Sequence, residues 1–301
     1  MNSLRPRGVV AAIATPVDRD FHPDLGRLVR HCRALLDGGC DAINLLGTTG
    51  EATAFGVDQR VAVMRAVADA GLPLGRFMVG TGVPALDETV RLTRAACELG
   101  FAGALVLPPY YYPDVSDDGL VAYVDALVAR VDHPSLAIYL YHIPQNTKVP
   151  WPLEVVARLH ERHGTTLAGL KDSAGDLAYA RAVAAAALPE FDVFPSSEGA
   201  LGEATASGFA GCISATVNVT AREAQAAWAG QGTPAGAAAV GKAAELRAIV
   251  ARYPLVAAVK SVLAARYRDD AWARVCLPLV RLAAEQAAAL KDAFERRMAE
   301  P

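Results

Sequence analysis

Cysteine and lysine are both scarce in this chain, with five of each against twenty-four arginines. The cysteines, Cys32, Cys40, Cys97, Cys212 and Cys276, are odd in number, irregular in spacing and never form a CxxC pair. That pattern argues against a disulfide framework or a structural zinc site. It fits a reducing, cytoplasmic setting in which thiols serve as small core residues. No charge-free apolar run reaches the roughly 18 residues of a membrane helix. Segment 1–10 carries arginines but no sustained apolar stretch, so no secretory leader is expected. A net charge of −3 leaves no basic excess for nucleic acid or an anionic membrane. There is no GxSxG elbow, and no histidine pair shares metal-ligand spacing with a carboxylate. Asn218-Val219-Thr220 matches a glycosylation sequon, which has no meaning without secretion. Residues 236–243 approach a P-loop, but they lack its Ser/Thr and sit in alanine-rich, helix-forming sequence.

What is present is apolar sequence in a regular rhythm. Hydrophobic residues make up 53% of the 301, enough for a large core. Short apolar runs at 9–14, 42–46, 77–79, 104–107, 136–141, 167–171, 192–194 and 211–214 read as strands. Segments of helical period follow them at 25–36, 57–70, 87–99, 120–131, 153–160, 177–186, 200–206 and 221–229. Asp87 is placed to cap the third helix and Pro152 suits the first turn of the fifth. The strands are continuous runs rather than alternating ones, as parallel strands buried on both faces are. Eight such units predict an α/β fold, a (β/α)₈ TIM barrel, over residues 1–232. An open doubly wound sheet is the competing reading, weakened because no GxGxxG follows the first strand. From 233 to 301 the texture is alanine-rich and helical, which predicts a C-terminal helical extension packed on the barrel.

Barrel active sites lie at the C-terminal ends of the strands. Lys171 ends the apolar run 167–171. A buried ammonium is costly unless paired or deprotonated, and a desolvated amine is what a carbonyl substrate needs to form a Schiff base. Pairing with Asp172 or Glu198 is the structural alternative. Around the same end lie Thr48, Thr49 and Glu51, then Tyr110, Tyr111 and Tyr112, then Tyr141, His142 and Asn146. Ser173, Ser196, Ser197, Glu198, Ser214 and Thr216 complete the set. Glu51 reads as a helix N-terminal charge. The loop Gly47-Thr48-Thr49-Gly50 can offer N–H groups and hydroxyls to a small carboxylate. Together these suit an α-keto acid, with no metal or organic cofactor required.

Gly47-Thr48-Thr49-Gly50-Glu51, Pro109-Tyr110-Tyr111, Tyr141-x-x-Pro144 and Gly169-x-Lys171-Asp172 share order and spacing with one family. From about residue 7 to 228 the chain resembles the dihydrodipicolinate synthase / N-acetylneuraminate lyase family, class I aldolase-type enzymes that use or release pyruvate. The resemblance implies that Lys171 is the Schiff-base lysine and Tyr141 the proton shuttle. It implies that Thr48 and Thr49 hold the pyruvoyl carboxylate and that Thr49 links Tyr141 to a second tyrosine. That tyrosine matches Tyr111, lent by a neighbouring subunit, so a homo-oligomer (tetramer or dimer) is implied. Ile213 falls where backbone lines the pyruvate pocket, and Gly47 belongs to the carboxylate loop. Asn146 stands where an arginine is expected for the distal carboxylate of aspartate semialdehyde, which speaks against that reaction. Ser196-Ser197-Glu198 replaces a Gly-Asp stretch. In Pro144-x-Asn146-Thr147 and Lys171-Asp172-Ser173-x-Gly175-Asp176 the chain is more similar to 4-hydroxy-2-oxoglutarate and 2-keto-3-deoxy acid aldolases, with Asn146, His142, Ser173, Ser197 and Glu198 as substrate-tail residues. The alternatives are dihydrodipicolinate synthase itself, a Schiff-base dehydratase or hydratase, and a non-catalytic keto-acid sensor.

Overall fold

The computed structural model describes residues 5–300, so the first four residues of the segment read above for a leader lie outside it. Eight strands form one parallel sheet: β1 (Gly8–Ala12), β2 (Ala42–Leu45), β3 (Phe77–Gly80), β4 (Gly103–Val106), β5 (Ile138–His142), β6 (Leu167–Asp172), β7 (Asp192–Pro195) and β8 (Gly211–Ser214). Their order is β7-β6-β5-β4-β3-β2-β1-β8. β1 ladders to both β2 and β8, so the sheet curls round on itself. β7 and β8 meet where the Ala210 N–H donates to the Val193 carbonyl at 2.9 Å. The result is a nearly closed TIM barrel.

Helices run between the strands: α1 (Leu25–Asp37), α2 (Val57–Asp69), α3 (Leu86–Leu99), α4 (Asp117–Val131), the short α5 (Pro144–Thr147), α6 (Leu153–His163), α7 (Ala178–Ala185), the short α8 (Ala204–Ser207) and α9 (Val217–Ala229). The expected 200–206 helix is a 3-10 stretch, Glu198–Glu203, running into α8. Asp87 does not cap α3. The helix begins at Leu86 with Ala85 in the cap position, which puts Asp87 in the first turn. Pro152 is the residue just before α6.

Every residue of the eight strands is buried, which explains the unbroken apolar runs. Alternate residues divide between two environments. Val10, Ala12, Ala42, Met78, Leu105, Tyr139, Phe194 and Ile213 pack together inside the barrel. Residues such as Val9, Ile43, Val79 and Leu140 face the helices. Tyr139 fills the barrel because glycines on both adjacent strands, Gly103 and Gly169, leave room for its ring. A Cβ on Gly103 would stand 2.7 Å from its ring and one on Gly169 2.8 Å. The glycine two residues before Lys171 is therefore a packing requirement.

The extension consists of α10 (Pro234–Val250), α11 (Leu255–Tyr267) and α12 (Ala284–Ala299). Leu246, Val250, Val259, Leu263 and Phe294 pack with Ala14 and Val219 of the barrel. The P-loop-like residues lie within α10, where the Thr233 side chain accepts from the Gly236 N–H. Asn218 is fully buried, with its side chain bonded to the backbone of Ala12 and Ala14, so the sequon is no glycan acceptor in the fold. No single helix among the described residues is long and apolar enough to cross a membrane.

Candidate active site

The register of β5 and β6 pairs Tyr139 with Gly169 and Tyr141 with Lys171. Strand alternation turns both members of the second pair toward the barrel axis, above the Tyr139 ring. Lys171 is 3% exposed and Tyr141 4%. The Lys171 Nζ stands 4.2 Å from the centre of the Tyr141 ring. Neither carboxylate proposed for it at the sequence level reaches the lysine. The Asp172 side chain accepts from the Ala174 N–H at 2.9 Å, and Glu198 is bonded to Ser214, Thr216 and Thr220. Among the described residues Lys171 has no acidic partner.

The Tyr141 hydroxyl lies 3.1 Å from Thr48 Oγ1. Burial pushes the phenol's pKa up. The Lys171 charge and hydrogen bonds from Thr48 and Ser173 outweigh it, so the net shift is downward. A tyrosine so placed can give and take a proton at lower cost than one in water. The expected link through Thr49 is corrected here: Thr48 is the hydroxyl on Tyr141, while Thr49 is buried beside it and lines the cavity. Leu46 and Glu51 bracket this loop, each with φ of 53°, in the left-handed region that non-glycine residues seldom occupy. The loop is pressed against β3, where a Cβ on Gly80 would meet the Leu46 carbonyl at 2.1 Å.

Glu51 stands at the N-cap of a short 3-10 turn, Ala52–Ala54, as expected, but its side chain makes no capping hydrogen bond there. It is buried in an ion pair with Lys260 of α11 and accepts from the Cys276 N–H, which ties the loop to the extension.

A cavity of about 500 Å³ opens over Lys171. Thr48, Thr49, Tyr141, Asn146, Ser173 and Ile213 line it, as expected. Gly47 lines a smaller cavity of about 190 Å³ that shares Thr48, Tyr141 and Asn146 with the first. Three expected tail residues do not line the larger cavity. His142 points outward because it alternates with Tyr141. Its Nδ1 accepts from the Trp151 N–H at 3.1 Å, its ring stacks on Tyr179 at 4.0 Å, and burial pushes its pKa down to about 4. Ser197 turns back to accept from the Gly199 N–H, and its neighbour Ser196 lines the cavity instead. Glu198 is fully buried behind the wall. Tyr111 is 81% exposed and lines neither cavity; Tyr110 lines the smaller one.

The sequence reading missed the residues that the extension contributes. Arg247 of α10, the segment 254–257 and Pro278, Leu279 and Val280 form the far wall. Nothing local marks them, since Arg247 is one of several arginines in alanine-rich helix.

The chain matches the model of the dihydrodipicolinate synthetase family over residues 5–297. It belongs to that family. It is 34% identical to an uncharacterized DapA-like lyase of Chloroflexus aurantiacus, over 98% of each chain. It is 32% identical to a 4-hydroxy-tetrahydrodipicolinate synthase of Saccharophagus degradans, over 71% of each. The fold superposes with a TM-score of 0.86 on dihydrodipicolinate synthase of Acinetobacter baumannii complexed with pyruvate, at 25% identity, covering 97% of this chain and 99% of that one. Membership makes the protein a class I aldolase-type lyase, with Schiff-base chemistry as the family's common ground.

Proposed function

We propose that the protein cleaves, and forms in reverse, the C3–C4 bond of 2-keto-4-hydroxy acids (2-keto-3-deoxy acids among them), giving pyruvate and an aldehyde. The observation that carries this is the buried, acid-free Lys171 amine beside Tyr141 at the floor of a cavity. The Nζ attacks the C2 ketone, and loss of water leaves a cationic iminium. Tyr141, hydrogen-bonded to Thr48, takes the proton from the C4 hydroxyl as the C3–C4 bond breaks. The bonding electrons pass to the iminium, giving an enamine and releasing the aldehyde. Protonation at C3 and hydrolysis free pyruvate and restore the amine. Thr48, Thr49 and the Gly47 loop receive the C1 carboxylate, and Asn146, Ser173 and Ser196 face the tail. No metal or organic cofactor enters these steps. The exposure of Tyr111 and Tyr112 beyond β4 supports their serving a neighbouring copy in a homo-oligomer. The five unpaired, buried cysteines support a reducing, cytoplasmic setting.

Borohydride reduction in the presence of pyruvate tests the reading. A pyruvyl adduct mapped to Lys171 by mass spectrometry is expected, and its absence overturns the Schiff-base assignment. A second reading, condensation of pyruvate with aspartate semialdehyde, draws on the Saccharophagus relative. The asparagine at 146 weighs against it, and efficient use of aspartate semialdehyde would establish it.

A further inference from the structure

Two cations line the cavity over Lys171: the lysine itself and Arg247, with no carboxylate among the lining residues. The lysine's charge persists in the iminium, next to the substrate's C1 carboxylate. Arg247 is left over. Its Nη1 donates to Ser214 Oγ at 3.0 Å and Thr216 Oγ1 at 3.1 Å, with Glu198 Oε2 at 3.4 Å. Glu198 is fully buried and also takes the hydroxyls of Ser214, Thr216 and Thr220. This network grips one corner of the guanidinium. Nε and Nη2 have no protein partner among the described residues, and the side chain stays 27% exposed at the cavity. A planar fork held at one corner and open at the other is suited to a bidentate acid.

Asn146 lines the same cavity and cannot supply such a fork. The rest of the far wall, Leu255, Val256, Ala257, Leu279 and Val280, is apolar and offers little to a polyhydroxylated tail. Resting on the Schiff-base reading above, we propose that Arg247 is a specificity-determining residue, which receives an acidic group at the distal end of the substrate. The preferred substrate is then a 2-keto-4-hydroxy acid with a second carboxylate or a phosphate, and the aldehyde released carries that acid.

The test compares kcat/KM on three substrates: 4-hydroxy-2-oxoglutarate, a 2-keto-3-deoxy acid ending in a phosphate ester, and 2-keto-3-deoxygluconate, which ends in a neutral hydroxymethyl group. The wild type is expected to favour one acidic tail over the neutral one by at least about tenfold, and the better acid identifies the group. In Arg247→Gln that preference falls by about tenfold or more, to near parity, chiefly through KM. Arg247→Lys, which keeps a charge near Glu198 but loses the fork, falls between. Pyruvate trapping by borohydride in each variant reports that the fold and the lysine remain competent. A wild type without the preference, or a ratio unchanged in Arg247→Gln, overturns the assignment of Arg247 alone. A wild type that forms no pyruvate adduct overturns the Schiff-base reading first.

Discussion

Tyr141 and Lys171 occupy one rung of the β5–β6 ladder, and the lysine amine stands 4.2 Å from the centre of the tyrosine ring. Adjacent strands in parallel register give both side chains the same direction, so a residue on each is enough to build the pair. Thr48 reaches the tyrosine hydroxyl from the loop after β2, which brings the three side chains together.

Tyr141→Phe removes the proton acceptor but leaves the amine. Aldol cleavage should slow by roughly 10²–10⁴-fold. Trapping of pyruvate on the protein by borohydride should still occur. Retention of near-normal kcat in this variant would exclude the proton role.

Thr48→Val deletes a hydrogen bond that lowers the Tyr141 pKa. The ionised phenol is the acceptor, so activity rises with pH through that pKa. Raising it must move the limb of the kcat–pH profile to higher pH, back toward the ordinary tyrosine value of 10.0. Thr49→Val should not move the limb. A shift in the Thr49 variant and none in the Thr48 variant would restore the assignment drawn from sequence.

The Glu51–Lys260 pair is buried at both ends. Lys260→Met leaves a carboxylate without its counter-charge and should cost about 3–5 kcal/mol of stability in denaturant unfolding. The double variant Glu51→Leu/Lys260→Met should recover a large share of that loss. Additive losses in the double variant would show that the two residues act separately.

His142→Asn probes a residue that points away from the cavity. Its pKa is lowered from 6.5 to about 4 because burial disfavours the charged ring. The unfolded chain therefore binds the proton more readily. Stability from neutral His142 is complete above pH 6.5 and is lost as pH falls toward 4. Asparagine has no such titration, so the variant's melting temperature should decline less steeply over that interval. Its substrate preference should match the wild type; a changed preference would return His142 to the site.

Much of this site was legible as types of residue gathered at one end of a barrel. Lys171, Tyr141 and the Gly-Thr loop stand out because polar groups ending apolar strands are costly without a purpose. What was not legible was parity. His142 and Ser197 each sit one residue from a side chain that lines the cavity, and an alternation of two turns them away. The choice between Thr48 and Thr49 likewise rested on the path of a loop bracketed by left-handed backbone at Leu46 and Glu51, which no spacing predicts.

The sequence by itself determined the eight-fold alternation, the parallel buried sheet and the family chemistry, because these follow from local apolar runs and short contiguous motifs. Tertiary structure alone decided that the α11 lysine neutralises Glu51, and that Arg247 of α10 and the 278–280 segment close the cavity. Those contacts join residues dozens to more than two hundred positions apart. They arise from how the helical extension packs against the barrel, which no local pattern in the chain encodes.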